Sequence, residues 1–357
     1  MRRPPIPRRE LPLPPFFDPA RAGAWEHRAD AAALQAAAGA WRAEHAIPPA
    51  AMAGARVHLL VIDAQRDFCL PEGALYVGGR SGRGAVEDSE RLSRFVYRHL
   101  DWLTEITCTL DTHHPFQIFF SSFWSDADGR PLAPYREIVA AEVESGAVRP
   151  DPDLDWLADG DRNWLARQAL HYCRELERRG KYRLYLWPPH CLAGSAGHGL
   201  AGVVEEARLF FSYARRAHVP LAVKGEHPLV EHYSALAPEV CGRHDGGELV
   251  TPDRALLERL LAADLLLVAG EASSHCVRAT VEDLLAEAAR RDPAAARRIY
   301  LLEDCMSPVA VPDPARPGAF LADFTAEAEA ALERFAAAGA HRVRSTDPVA
   351  GWPGLAG

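Results

Sequence analysis

Leu265-Leu266-Leu267-Val268-Ala269-Gly270, running on into Glu271-Ala272-Ser273-Ser274-His275-Cys276, decides how this chain folds. An apolar run closed by a glycine reads as a strand buried on both faces. After a short polar link, Cys276–Arg291 reads as a helix. A strand that feeds a helix through a short link is half of a βαβ unit, and such units build parallel sheets covered by helices.

The same rhythm extends in both directions. Strands are predicted at Val57–Asp63, Glu105–Asp111, Val219–Lys224, Leu265–Gly270, Arg298–Asp304 and His341–Arg344. Helices are predicted at Ser89–Leu103, Leu200–Ala217, Pro252–Ala262, Cys276–Arg291 and Ala326–Ala338. The expectation is an α/β fold with a six-stranded parallel sheet and helices on both faces. Residues 1–55 form a leading segment. Residues 1–20 hold seven prolines and are expected to be an extended arm, with Phe16 and Phe17 placed to anchor it to a surface, a neighbouring subunit's included. Residues 24–46 are alanine-rich and favour helix. The core domain is expected over 56–346 and a tail over 347–357. An insertion from about 116 to 185, with an amphipathic helix at Trp164–Arg179, breaks the alternation and is expected over the site end of the sheet.

Composition narrows the function classes. The chain has 357 residues, is 48% hydrophobic and carries a formal charge of −9, which does not suggest a nucleic-acid partner. No apolar run reaches membrane-spanning length, so no membrane partner is expected. Seven cysteines, an odd number without a CxxC pair, argue against a disulfide framework and for a reducing compartment. Met1-Arg2-Arg3-Pro4-Pro5 lacks the apolar stretch of a secretory signal, and a cytoplasmic setting is expected.

Short motifs fall just past the strand ends: Asp63-Ala64-Gln65-Arg66-Asp67-Phe68, Asp111-Thr112-His113, Lys224-Gly225 and the link before Cys276. Trp187-Pro188-Pro189-His190-Cys191 lies between the second and third. A parallel sheet gathers such positions into one crevice. Cys276 opens a helix, whose orphan N–H groups and positive end would stabilise a thiolate and receive an oxyanion. Most free cysteines are inert and buried, and it is position that sets this one apart. Asp63 follows Val61 and Ile62, so its carboxylate is poorly solvated and suited to act as a base. Asp67 reads as a structural hydrogen-bonding residue. Lys224 ends an apolar strand and needs a counter-charge, unless it snorkels at a sheet edge. Asp111 and His113, two apart, share a face and make half a metal site, with His190 as a third ligand. His114 would point away. Together these residues are the equipment of a metal-containing cysteine hydrolase.

These motifs resemble the nicotinamidase/pyrazinamidase branch of the isochorismatase-like cysteine hydrolases. The resemblance runs from Val57 to Arg344 apart from the insertion, through DAQRDFC, DTH, WPPHC, KGEHPLVEHYSAL and GEASSHCVRATVEDLL. It implies a triad of Asp63, Lys224 and Cys276, and a divalent ion, Zn²⁺ before Mn²⁺ or Fe²⁺, on Asp111, His113 and His190. It also implies a cis peptide between Glu271 and Ala272, an oxyanion hole from the Ala272 and Cys276 N–H groups, and a pocket of Phe68, Trp187 and Tyr233. The activity implied is hydrolysis of a small amide to acid and ammonia, with nicotinamide as substrate, by a homo-oligomer. Departures from the pattern are the long insertion, Glu271 where relatives are usually apolar, and His275 in the pocket. Hydrolysis of another amide, a ureide or an imide is the alternative, and a metal-binding scaffold without catalysis is the alternative of another class.

Overall fold

The apolar runs become the central strands of the computed structural model, which describes residues 6–180, 183–292 and 294–355. In chain order the principal elements are α1 (Ala31–Glu44), β1 (Val57–Ile62), α2 (Gly84–Arg98), β2 (Glu105–Asp111), α3 (Arg162–Arg179) and α4 (Gly202–Arg215). They continue with β3 (Leu221–Lys224), α5 (Arg254–Leu261), β4 (Leu265–Gly270), α6 (Cys276–Arg291), β5 (Ile299–Leu302), α7 (Thr325–Ala337) and β6 (His341–Val343). The strands form one six-stranded sheet in the order β6-β5-β4-β1-β2-β3, with every pairing parallel. The α/β prediction is met, and strand ends differ from it by at most two residues.

Both central strands are buried along their whole length, because helices cover both faces of the sheet. Alternate residues of β1 serve the two faces. Leu59 and Val61 join the core beneath α2 and α4, while Leu60 and Ile62 join the core beneath α5, α6 and α7. The chain starts at the centre, moves outward through β2 and β3, and returns on the other side of β1 at β4. The order therefore reverses between β1 and β4, which opens a crevice at their carboxyl ends.

From Ile6 onward, within the described residues, the proline-rich arm lies on its own chain. Leu11 donates its N–H to the Arg98 carbonyl at 2.8 Å, and Phe16 and Phe17 pack against Tyr97. The leading helix is shorter than the alanine-rich stretch, beginning at Ala31 where Asp30 caps two N–H groups. The described part of the tail, to Leu355, also packs on the domain: Trp352 is buried and stacks on Phe95 at 6.0 Å. The insertion holds α3 and two short antiparallel strand pairs, Trp124–Asp126 with Val148–Pro150 and Glu137–Ile138 with Leu184–Tyr185. It packs against the segment after β3, where the Tyr172 hydroxyl accepts the Glu231 N–H at 2.9 Å and Gln117 Nε2 donates to the Gly225 carbonyl at 2.9 Å.

Candidate active site

Asp63, one residue past β1, takes a positive φ of 44° that aspartate tolerates. Its N–H donates to Thr109 Oγ1 at 3.0 Å, and the Thr109 hydroxyl donates back to Asp63 Oδ1. Gln65 then clamps the end of β2, giving Nε2–H to the Asp111 carbonyl at 2.8 Å and accepting the Asp111 N–H at 2.7 Å. Parallel pairing sets Asp111 beside Lys224, and their side chains meet.

Lys224 is buried, with Nζ 2.9 Å from Asp63 Oδ2, 2.9 Å from Asp111 Oδ1 and 2.8 Å from the His232 carbonyl. Its fourth neighbour is Cys276 Sγ at 3.7 Å. It is therefore a fully partnered ammonium rather than a lysine reaching for solvent. Burial alone would lower its pKa, but Asp111, Asp63 and Cys276 outweigh burial and raise it well above the ordinary lysine value. Burial raises Asp63 above the usual carboxylate range, with Lys224 pulling the other way. Cys276 opens α6 as expected, yet the helix start does not make it a resting thiolate. Burial pushes the thiol well above its ordinary value, and the Asp63 charge adds to that rise while Lys224 opposes it. A base must therefore remove the proton, and one Asp63 oxygen, one Asp111 oxygen and Cys276 Sγ lie within 4.8 Å of one another.

The predicted metal ligands also converge. Ligand atoms of Asp111, His113 and His190 lie within 4.8 Å of one another, and all three residues are buried. Nδ1 of His113 donates to the Gly225 carbonyl at 3.2 Å, and Nδ1 of His190 to the Pro188 carbonyl at 2.8 Å. Each bond fixes the tautomer that leaves Nε2 as a lone pair. Those nitrogens face Asp111 Oδ2 at 3.0 Å and 3.9 Å. Burial and His113 push His190 down to about 4, so it is neutral near pH 7. Burial works to raise Asp111, but His113 and Lys224 hold it well below the usual carboxylate range. Two imidazole Nε2 atoms and an ionised carboxylate converging on one point are a donor set that fits a divalent ion. His114 is exposed and points away. Gly225, at φ +88°, is required here, because a Cβ would stand 2.7 Å from His113 Cε1. Asp67 is structural: it accepts the Cys191 N–H at 2.7 Å and so fixes the turn that carries His190.

A cavity with about 450 Å³ of empty space, part of it open to solvent, runs from these groups outward. Its wall includes Phe68, Trp187, Tyr233, His275, Ala272 and Cys276, all expected there. The Glu271–Ala272 bond is cis. Among the described residues, neither the Ala272 nor the Cys276 N–H donates to a backbone carbonyl. Burial pushes His275 down to about 3, so a neutral imidazole faces the cavity, edge-on to Trp187 at 5.2 Å and Phe324 at 4.7 Å.

Glu271 does not line the cavity. Its carboxyl turns away toward Ser307 and Asp88, so it is no polar intruder in the pocket. Residues that the sequence reading missed are Glu231, Phe119 and Phe324. Glu231 lines the cavity beside Tyr233, and its Oε2 is buried without a hydrogen-bond partner among the described residues. Burial raises it well above the usual carboxylate range. Phe119 belongs to an aromatic stretch, Phe116–Trp124, at the start of the insertion, but Phe324 lies in a segment with no motif to mark it.

The chain is similar to solved nicotinamidases and pyrazinamidases. An Acinetobacter baumanii nicotinamidase/pyrazinamidase matches at 18% identity and a TM-score of 0.48, over 82% of this chain and 97% of that one. The yeast nicotinamidase matches at 16% identity and a TM-score of 0.47, over 80% and 99%. A Pyrococcus horikoshii pyrazinamidase, solved in complex with zinc, matches at 18% identity and a TM-score of 0.41, over 81% and 99%. No protein-family model and no curated protein matches the chain. At these levels of likeness the chemistry has to be argued from the side chains of the site.

Proposed function

We propose that this chain is a cysteine amidohydrolase that cleaves a small amide to a carboxylic acid and ammonia, with nicotinamide as its substrate. The observation that carries this reading is the contact of Cys276, Asp63 and Lys224 at the wall of a cavity lined by aromatic rings. Asp63 takes the Cys276 proton as Sγ attacks the amide carbonyl, and Lys224 balances the charge that remains. The oxyanion is received by the Ala272 and Cys276 N–H groups. Asp63 returns its proton to the departing nitrogen, which leaves as ammonia. Water then attacks the thioester with Asp63 as base, releasing the acid and restoring the thiol. Asp111, His113 and His190 would hold a divalent ion, zinc by preference, which supplies a Lewis-acid contact for a ring nitrogen or for water. Seven thiols without a disulfide fit a cytoplasmic setting.

The ligand assignment is checked by elemental analysis of variants. His113→Ala and His190→Ala should each lower bound metal by about tenfold or more at limiting metal, while His114→Ala leaves it at the wild-type level. Equal metal in all three removes the assignment.

A second reading, hydrolysis of a ureide, an imide or a more polar amide, is favoured by Glu231 and His275 in the cavity wall. A screen for ammonia release separates the two. Nicotinamide should exceed benzamide in kcat/KM on the order of 10²-fold, about what one charge-assisted contact to the ring nitrogen contributes. Equal rates would remove that contact, and ammonia from a ureide alone would move the enzyme to the second reading.

A further inference from the structure

One acid beside the reacting groups has no part in the steps above. Glu271 immediately precedes Ala272, is 1% exposed, and accepts the Ser307 N–H on Oε2 at 3.1 Å. Its carboxyl also hydrogen-bonds that of Asp88 on α2, which is 4% exposed. Two carboxyl groups in such contact in a dry interior hold a proton between them, because both cannot ionise. The other partners of Asp88 decide where the charge sits. Arg91 Nη2 donates to Oδ1 at 2.8 Å and the Ser307 hydroxyl to Oδ2 at 2.5 Å, so Asp88 is the anion and Glu271 the acid. Two further bonds join the same segments: Ser273 N–H to the Ser307 carbonyl at 2.9 Å and Val309 N–H to Ser274 Oγ at 3.0 Å. Residues 271–274 are thus fastened to 307–309 on both sides of the Ala272 N–H.

We infer that the proton shared by Glu271 and Asp88 holds segment 271–274 against Ser307, and with it the Ala272 N–H that receives the oxyanion. Glu271 is then a positioning residue for hydrolysis, a role that rests on the reading of Cys276 as nucleophile. Burial and the Asp88 charge push Glu271 well above its ordinary value, and burial pushes Asp88 up to about 6. The other ionisable groups facing the pair are Cys69, Tyr76, Arg91, Asp304 and Cys305. Burial drives both thiols well above their ordinary values and the Tyr76 phenol up to about 12. Loss of the Glu271 proton would leave two adjacent buried carboxylates, with Arg91 to balance one of them. Since both folded pKa values are raised, the native chain keeps protons that the unfolded chain releases near pH 4, and stability from the pair falls as pH rises through Asp88 and then Glu271.

The test compares wild type with Glu271→Gln, Asp88→Asn and Glu271→Leu between about pH 6.5 and about pH 9.5. The glutamine amide can donate to Asp88 and accept from Ser307 without a titrating proton. Wild-type melting temperature should fall with pH above neutrality, and the Gln and Asn variants should flatten that fall. With an amide that the enzyme turns over, wild-type kcat/KM should drop about tenfold per pH unit beyond the Glu271 pKa. The Gln variant should carry this limb at least about one unit further. Glu271→Leu should lower kcat on the order of 10²-fold at every pH with KM little changed, and Gln should recover most of it. Coincident pH limbs in wild type and the Gln variant, or a Leu variant as active as Gln, overturn the positioning role alone. No ammonia from any amide removes the hydrolase reading and the positioning role together, while the melting curves still decide the shared proton. If the variants do not fold, a wild-type melting temperature that stays level across the range overturns it.

Discussion

Cys276→Ala loses turnover, with kcat falling by roughly 10⁴-fold or more while the fold and the metal site persist. The expected size follows from the chemistry: without Sγ there is no thioester, and Asp63 and Lys224 can at most orient water. The side chain is small and its polar contacts are with Lys224 at 3.7 Å and with Asp63, so its removal costs little packing. Ammonia release, circular dichroism and metal content measured on one preparation check this. Turnover within about tenfold of wild type would end the cysteine mechanism.

Lys224→Met acts on stability as well as on rate. The ammonium lies between Asp63 and Asp111, each at 2.9 Å, with all three side chains buried. Methionine fills a similar volume but leaves two carboxylates facing each other in a dry site. Breaking a buried ion pair from one side costs about 3–5 kcal/mol. Chemical denaturation should read a loss of this size, and kcat should fall because the negative charge left when Cys276 gives up its proton is no longer balanced. Adding Asp63→Asn removes one of the orphaned charges, so the double variant should be more stable than Lys224→Met alone. A double variant less stable than the single one would place the effect in packing rather than in charge.

How much of this was legible in the chain depends on how local each signal is. The β4 run, the acids and lysine at strand ends, and the cysteine at the start of α6 are all consequences of short segments. A strand buried on both faces must be apolar along its length, so the first polar residue after it marks the carboxyl edge of the sheet. Asp63, Asp111 and Lys224 were found at the ends of apolar strands and Cys276 at the start of the helix after β4, and the sheet order then brings them together. His114 could be set aside because neighbours in an extended segment point to opposite sides. Asp67 could be read as structural because a second base was not needed beside Asp63.

Other features depend on groups far apart in sequence. Nothing in Asp111-Thr112-His113 reveals that Asp111 also pairs with Lys224, which follows from their register across β2 and β3. The burial that keeps Cys276 a thiol exceeds what a helix start offers, and only the packed site has it. Glu271 stands beside residues that line the pocket, but its rotation toward Asp88 and Ser307 is set by α2 and the segment after β5. The arm, free in sequence to reach another subunit, is held by Tyr97 and Phe210 of its own chain. Sequence by itself determined the fold class and the candidate reacting residues, since apolar periodicity and strand-end chemistry are written in runs of a few residues. Tertiary structure alone decided which charges are paired, which groups are dry and where Glu271 points, because burial and hydrogen-bond partners come from separate elements of the chain.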